Sequence, residues 1–307
     1  MATARAWADA CQRYLDDPLQ LLEAYGIAID LISQVAGLEQ TIELRQTNLL
    51  QTSDLACAAA SAAFTHGRPE LALEWLEQGR CIVWSQLNQL RTPMDDLARH
   101  PHLADRLQQL SFALERAGSR PKSDLVMEKL GRKGVLVKKV KMEEEAANHI
   151  NIADEWNKLL EQIRRIPEFC NFLLPRRSSE ILRNLSVNGV VIMINVHETR
   201  CDAVALVPNH NKPIHISLPD FTHPEAVDLR RELLQHLWSA GKRMREAEPA
   251  EPQPERGGHT VDPQARSRIR MANLLGKLWR NVVKPIFDVI GYQTLVSVWF
   301  SCIATYL

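Results

Sequence analysis

His197 and Cys201 are separated only by Glu198, Thr199 and Arg200. A thiol and an imidazole this close in sequence make a nucleophilic dyad if a turn brings them within hydrogen-bond reach, about 3 Å. The competing reading is structural. Cys201 opens an apolar stretch, and free cysteine is among the most buried residue types. We take the structural reading. His100 and His102 flank Pro101 without an acidic or cysteine ligand set beside them, so no metal site is expected there. His210, His215 and His223 are spread over a strand and its flanks and are expected at the surface. Cys81 and Trp84 fall at packing positions of a helix. Arg164, Arg165, Arg176 and Arg177 form a basic group near Pro167 and Pro175, expected to be solvated. Asp95 and Asp96, after Pro93, suit the positive end of a helix dipole. No P-loop, dinucleotide glycine pattern, H-E-x-x-H or G-x-S-x-G occurs. No catalytic, cofactor-binding or metal-ligating residue is therefore assigned, and no cofactor is expected.

Bulk properties narrow the partners. Lysine plus arginine and aspartate plus glutamate both number 37, so no whole-chain field steers the protein to nucleic acid or to an anionic membrane. Hydrophobic residues make up 45% and charged residues 24% of the chain, the balance of a globular protein. The cysteines Cys11, Cys57, Cys81, Cys170, Cys201 and Cys302 show no regular spacing and no C-x-x-C. Reduced thiols and a cytoplasmic location follow as expectations. The N-terminal stretch has no apolar run of signal-peptide type.

Residues 1–117 carry apolar positions at three- and four-residue spacing, the pattern of packed helices. One helix is expected over 18–36, opened by Pro18 and stopped by Gly37. A second covers 41–66, with Leu44, Leu55, Ala59 and Ala62 on its face. A third covers 69–91, with Leu73, Leu76, Val83, Leu87 and Leu90. Residues 101–117 give another, with Leu103, Leu107, Leu110 and Leu114 in one stripe. The segment 118–142 is basic and holds Gly and Pro, so it is expected to be a linker or insertion. It lacks interleaved aromatics and runs into Glu143–Glu145, so it is not assigned to nucleic acid.

A helix over 143–165 should end at Pro167, with Trp156, Leu159, Leu160 and Ile163 on one side. A short helix is expected over 178–186. The period then changes. Gly189–Val196 is a continuous Val/Ile-rich run, the signature of a strand buried on both faces. Arg200–Val207 alternates and should pair with it as a hairpin across residues 197–199. Residues 213–218 suggest a third strand. A helix over 222–241 has Thr222 as its N-cap. The stretch 246–264 is rich in Pro and Gly and is expected to be a disordered loop. A helix over 267–290 includes Ile269, Leu274, Leu278, Val282 and Ile286, with Pro285 kinking it and Gly291 ending it. Residues 293–307 form an apolar tail. No residue from 289 to 307 is charged, and a membrane tether through this segment is the alternative to a plain tail.

Two resemblances sharpen this outline. Residues 41–91 resemble a tetratricopeptide helix hairpin. Ala60, Gly67, Ala72, Leu76 and Gly79 sit at the spacing of that repeat's small and apolar positions, while its usual Trp, Tyr and terminal Pro are missing. In ordered succession, LALEWLEQGRCIVWSQLNQLRTPMDDL (71–97), LADRLQQLS (103–111), EWNKLLEQIRRIPEFCNFLLP (155–175), VVIMINVHETRCDAVALV (190–207) and LGKLWRNVVKPIFDVIGY (275–292) resemble the fungal CHAT proteins. Those proteins carry a caspase-like domain associated with tetratricopeptide repeats.

The resemblance implies a fold class: an α-helical N-terminal region of tetratricopeptide-like hairpins, then a partial α/β caspase-like domain over 143–292 with 190–207 as its first hairpin. It implies a cysteine peptidase or signalling family whose catalytic His and Cys follow later strands. The family pattern stops at Gln293, and a shifted or mis-spliced reading frame is the expectation for the tail. No catalytic residue carries over to this chain. The expected function is a protein-interaction module, binding a protein or peptide through the helical region, with an incomplete and non-catalytic CHAT domain. Alternatives are an active caspase-like peptidase, if a longer isoform supplies the His and Cys, and a membrane-tethered helical adaptor.

Overall fold

Asp17 shows how local chemistry starts a helix here. Its carboxylate Oδ1 accepts the backbone N–H groups of Leu19 and Gln20 at 2.9 and 3.4 Å, just ahead of Pro18. Two of the donors that a helix start leaves unpaired are thereby satisfied, and Pro18 has no N–H to lose. The computed structural model describes residues 2–14, 17–35, 37–45, 54–79, 90–91, 97, 99–119, 132–185, 189–239, 263–291 and 297–304. The chain forms two compact units. One takes residues 1–56 and 77–176, the other 57–76 and 177–307.

The first unit is helical. It contains α1 (Ala2–Tyr14) and α2 (Pro18–Val35). Further helices are α3 (Leu55–Thr65) and α4 (Pro69–Gly79), whose outer ends belong to this unit, and α5 (Pro101–Gly118) and α6 (Arg132–Arg164). The helix expected from 143 thus starts earlier, at Arg132, inside the segment expected to be a linker. The stripe Leu107, Leu110 and Leu114 of α5 meets Ala153, Trp156, Leu159, Leu160 and Ile163 of α6 in one core, with Leu90 and Leu97. The single helix expected over 41–66 is described as helical at 42–45 and again in α3, and Leu44 is exposed rather than packed. The expected positions Val83 and Leu87, with Cys81, Trp84, Asp95 and Asp96, lie outside the described residues.

The second unit is built on a sheet. After the short helix α7 (Ser178–Arg183), strands β1 (Gly189–Val196), β2 (Cys201–Leu206) and β3 (Ile214–Ser217) follow. Next come α8 (His223–Ser239), α9 (Pro263–Leu278), a π-helical turn at Trp279–Val283, α10 (Lys284–Ile290) and β4 (Ser297–Ala304). The strand order is β3-β2-β1-β4. β1 and β2 are antiparallel, pairing Val196 with Cys201 and Asn195 with Asp202; β2 and β3 are antiparallel; β1 and β4 are parallel, from Gly189 with Ser297 to Val196 with Ala304. Part of the segment expected to be an apolar tail is therefore a strand. Its residues are uncharged and rich in Val, Ile and aromatics, a composition that suits pairing inside a sheet.

Alternation along the strands makes two faces. Val190, Ile192, Val196, Cys201, Ala203, Ala205 and Ile216 form one face. It packs against Ala226 and Leu229 of α8, Leu274 of α9, Val282 of the π turn and Ile286 of α10. Thr222 caps α8 as expected, its hydroxyl accepting the Glu225 N–H at 3.4 Å. Gly291, at φ 78°, ends α10 and returns its N–H to Phe287 O at 3.1 Å. Pro285 does not break the helix. The π turn lies just upstream and includes Asn281, whose carbonyl the proline ring would otherwise crowd. The loop expected over 246–264 lies outside the described residues as far as 262; Pro263 and Gln264 are already helical.

Candidate functional site

Polar residues buried on the other sheet face define the most unusual chemistry in the second unit. Asn195 and Asp202 are register partners across the β1–β2 hairpin, and both are fully buried. Partners in an antiparallel ladder point to the same face. His215 joins them from β3. The face is covered by one stripe of α3, through Cys57, Ser61, Phe64 and Thr65.

Asp202 is doubly held. Arg200 Nε donates to Oδ2 at 2.7 Å and Nη2 donates to Oδ1 at 2.6 Å. His215 Nε2 lies 2.8 Å from the same Oδ1. Arg200 also donates from Nη1 to Thr65 Oγ1 at 3.1 Å, and Thr65 in turn donates to Ser61 O at 2.9 Å. The His215 ring stacks on Phe64 with centroids 4.5 Å apart and an interplanar angle of 11°. Asn195 Nδ2 donates to Cys57 O at 3.2 Å and to Ser61 Oγ at 2.9 Å. Its Oδ1 has no donor among the described residues. A buried carboxylate is tolerated only when paired and hydrogen-bonded, and the bidentate guanidinium meets that condition. The cluster ties a helix to a sheet. Its groups hold one another, and among the described residues His215 hydrogen-bonds to Asp202 and to no hydroxyl or thiol.

The residues singled out in the sequence are placed elsewhere. Cys201 is buried on the opposite sheet face, and its Sγ reaches the His197 backbone carbonyl at 3.9 Å. The His197 ring turns to its own hairpin, with Nδ1 2.8 Å from Thr199 Oγ1 and accepting the Thr199 N–H at 3.3 Å. His100 and His102 meet edge to face at 6.3 Å, and His100 also packs on Phe169. His215, expected at the surface, is half-buried because Asp202 and Phe64 hold it. Arg164, expected to be solvated, is also half-buried. It donates to Phe172 O at 2.9 Å and Leu173 O at 3.4 Å, and burial lowers its pKa. Those carbonyls belong to a turn in which Leu173 has φ 53°, so the guanidinium braces an uncommon backbone conformation.

Among the described residues no group of His, Cys, Asp and Glu is arranged to hold a metal ion. No helix among them is long and apolar enough to cross a membrane. Comparison with known proteins finds no matching family model, no matching curated protein and no matching solved structure.

A second surface runs along α9 and onto the first residue of the π turn. Ile269, Leu275 and Trp279 are 57%, 56% and 44% exposed. Ala272 and Gly276 lie between them at helical-stripe spacing, and a side chain at Gly276 would meet open space. Of the apolar positions read from the sequence, Leu274, Val282 and Ile286 join the core and Leu278 packs against it, whereas Ile269 is exposed. Residues 263–290 hold six basic residues (Arg266, Arg268, Arg270, Lys277, Arg280 and Lys284) against one acidic residue, Asp288, in a chain whose net charge is zero. Lys277 pairs with Glu232 and Lys284 with Asp288, while Arg270 and Arg280 pair with no carboxylate among the described residues.

Proposed function

We propose that this chain is a protein-interaction module: tetratricopeptide-like helices joined to a caspase-like sheet of CHAT type. The exposed α9 stripe carries the interaction reading. A contiguous apolar strip rimmed by polar or charged groups is the usual form of a docking site, whereas isolated exposed apolar residues are not. Ala272 and Gly276 lower the middle of the strip, so a partner helix can approach closely, which a bilayer surface does not need. Arg270 and Arg280 favour acidic flanks on that helix and oppose a second copy of this stripe.

The tetratricopeptide part rests on Ala60, Ala72 and Leu76, all fully buried. It rests also on Gly67 in the left-handed region and on Gly79, where a side chain would collide with Ala56. The caspase-like part rests on the ordered sequence resemblance and on a mixed sheet whose first hairpin is β1–β2. The reading includes a partner surface in the N-terminal helices and assigns no catalytic residue.

The test uses the full chain and two labelled helical peptides with the same leucine stripe, one flanked by glutamates and one by lysines. Fluorescence anisotropy should show at least tenfold tighter binding of the glutamate peptide. Trp279→Ala should weaken it by about tenfold, the scale of an aromatic anchor. Equal affinity for the two peptides, or indifference to Trp279→Ala in a folded variant, overturns the reading. Capture by phosphatidylserine vesicles in place of the peptide assigns the strip to membranes.

A further inference from the structure

The chain reads Pro-Arg-Arg-Ser-Ser over 175–179. Arg176, Arg177 and Ser179 are all exposed, and residues 174–177 belong to no helix or strand. Arg177 is extended, at φ −74° and ψ 153°. Ser179 lies in the first turn of α7, which has only 6 residues. A helix this short has little stability of its own, so Ser179 can straighten to continue the extended segment. An exposed serine preceded by two exposed guanidiniums, the nearer on extended backbone, fits the acidic substrate groove of an arginine-directed protein kinase, where each arginine can make paired hydrogen bonds to carboxylates. Ser178 is less suited, being half-buried with its backbone N–H tied to a carboxylate.

That carboxylate is Glu74 on α4. Its Oε1 accepts the Ser178 N–H at 2.9 Å and its Oε2 accepts Arg177 Nη1 at 3.3 Å. Glu74 is 12% exposed and Arg177 78%. The clamp therefore has one enclosed anion and one cation free to change partners.

We propose that Ser179 is a phosphoacceptor for an arginine-directed serine/threonine kinase, and that its phosphate takes Arg177 from Glu74. In the transfer, Ser179 Oγ attacks the γ-phosphorus of a nucleoside triphosphate held by the kinase. The Oγ–P bond forms as the bond from phosphorus to the β,γ-bridging oxygen breaks. The nucleoside diphosphate leaves with that electron pair, and the serine proton passes to the kinase's base. The phosphoserine carries about −1.5 to −2 charges. It offers Arg177 a stronger acceptor than Glu74, and Arg183, four residues on, is a second guanidinium within reach on the helix. Glu74 then faces a like charge, and the clamp from α4 to the start of α7 opens.

The experiment treats the full chain with the catalytic subunit of the cyclic-AMP-dependent kinase and ATP, then locates phosphate by mass spectrometry. Phosphate is expected on Ser179, absent in Ser179→Ala, and formed at least tenfold more slowly in the Arg176→Ala/Arg177→Ala double variant. Hydrogen exchange on the phosphorylated chain should be about tenfold faster at 70–76 and 177–183. No phosphate on Ser179, or equal rates with and without the two arginines, overturns the site. Phosphorylation that leaves exchange in both segments unchanged overturns the switch.

Discussion

Asp202 depends on Arg200 more than Arg200 depends on Asp202. The carboxylate is fully buried and the guanidinium is partly solvated. Removing the cation leaves the buried carboxylate with His215 in place of a bidentate guanidinium, and breaking a buried pair costs roughly 3–5 kcal/mol. Arg200→Ala should lower stability by about that amount in urea denaturation, and Arg200→Ala/Asp202→Ala should recover part of the loss. Tyr25 gives a pH signature in the helical unit. Burial, reinforced by the negative charge of Asp9, raises its pKa from 10.0 to about 12, while Arg5 pulls the other way. The folded state thus keeps the proton that the unfolded state releases. Stability from this group is complete below pH 10 and falls as pH rises towards 12, by up to about 3 kcal/mol. Tyr25→Phe should flatten that alkaline slope. At Cys201, core burial predicts slow labelling by a thiol reagent in the native chain and no change in rate with His197→Ala. Rapid labelling that depends on His197 would restore the dyad.

At the scale of elements, small residues decide how closely helices approach. A Cβ at Gly79 would lie 2.1 Å from the Ala56 Cβ. Gly79→Ala gains helix propensity yet forces the α3–α4 crossing apart, and overpacking costs typically 1–3 kcal/mol. The net effect should be destabilising in thermal unfolding. Much of this level was legible in the sequence. The stripes of α5 and α6, the hairpin of β1 and β2, the Thr222 cap and the Gly291 stop all follow from local spacing and turn chemistry. The polar cluster was half legible. Asn195 and Asp202 each interrupt an apolar strand, but a turn over 197–199 would pair Asn195 with Cys201; the observed register, Val196 with Cys201, brings Asn195 and Asp202 together. Nothing local told which helix would cover them, because Ser61 and Thr65 reach them across more than a hundred residues of chain. Ile269 misled for the complementary reason: helical periodicity marks apolar positions but not which of two apolar stripes the sheet will claim.

At the scale of the whole molecule, the second unit is not a continuous segment. It takes residues 57–76 from the helical part of the chain. A fragment covering 150–307 lacks the stripe of α3 that covers Asn195, Asp202 and His215. It should be poorly soluble in size-exclusion chromatography, since buried polar groups and apolar strand faces would both meet water. A soluble monomer of that fragment with a cooperative thermal transition would contradict this view of the unit. The sequence alone determined most of the helices, the β1–β2 hairpin and the order in which the helical and strand-bearing parts follow, because capping, periodicity and composition act over a few residues. The tertiary structure alone decided that 297–304 pairs with β1, that α3 roofs the sheet and that Ile269 stays exposed. These outcomes turn on contacts between residues distant in the chain, and a local pattern cannot rank them.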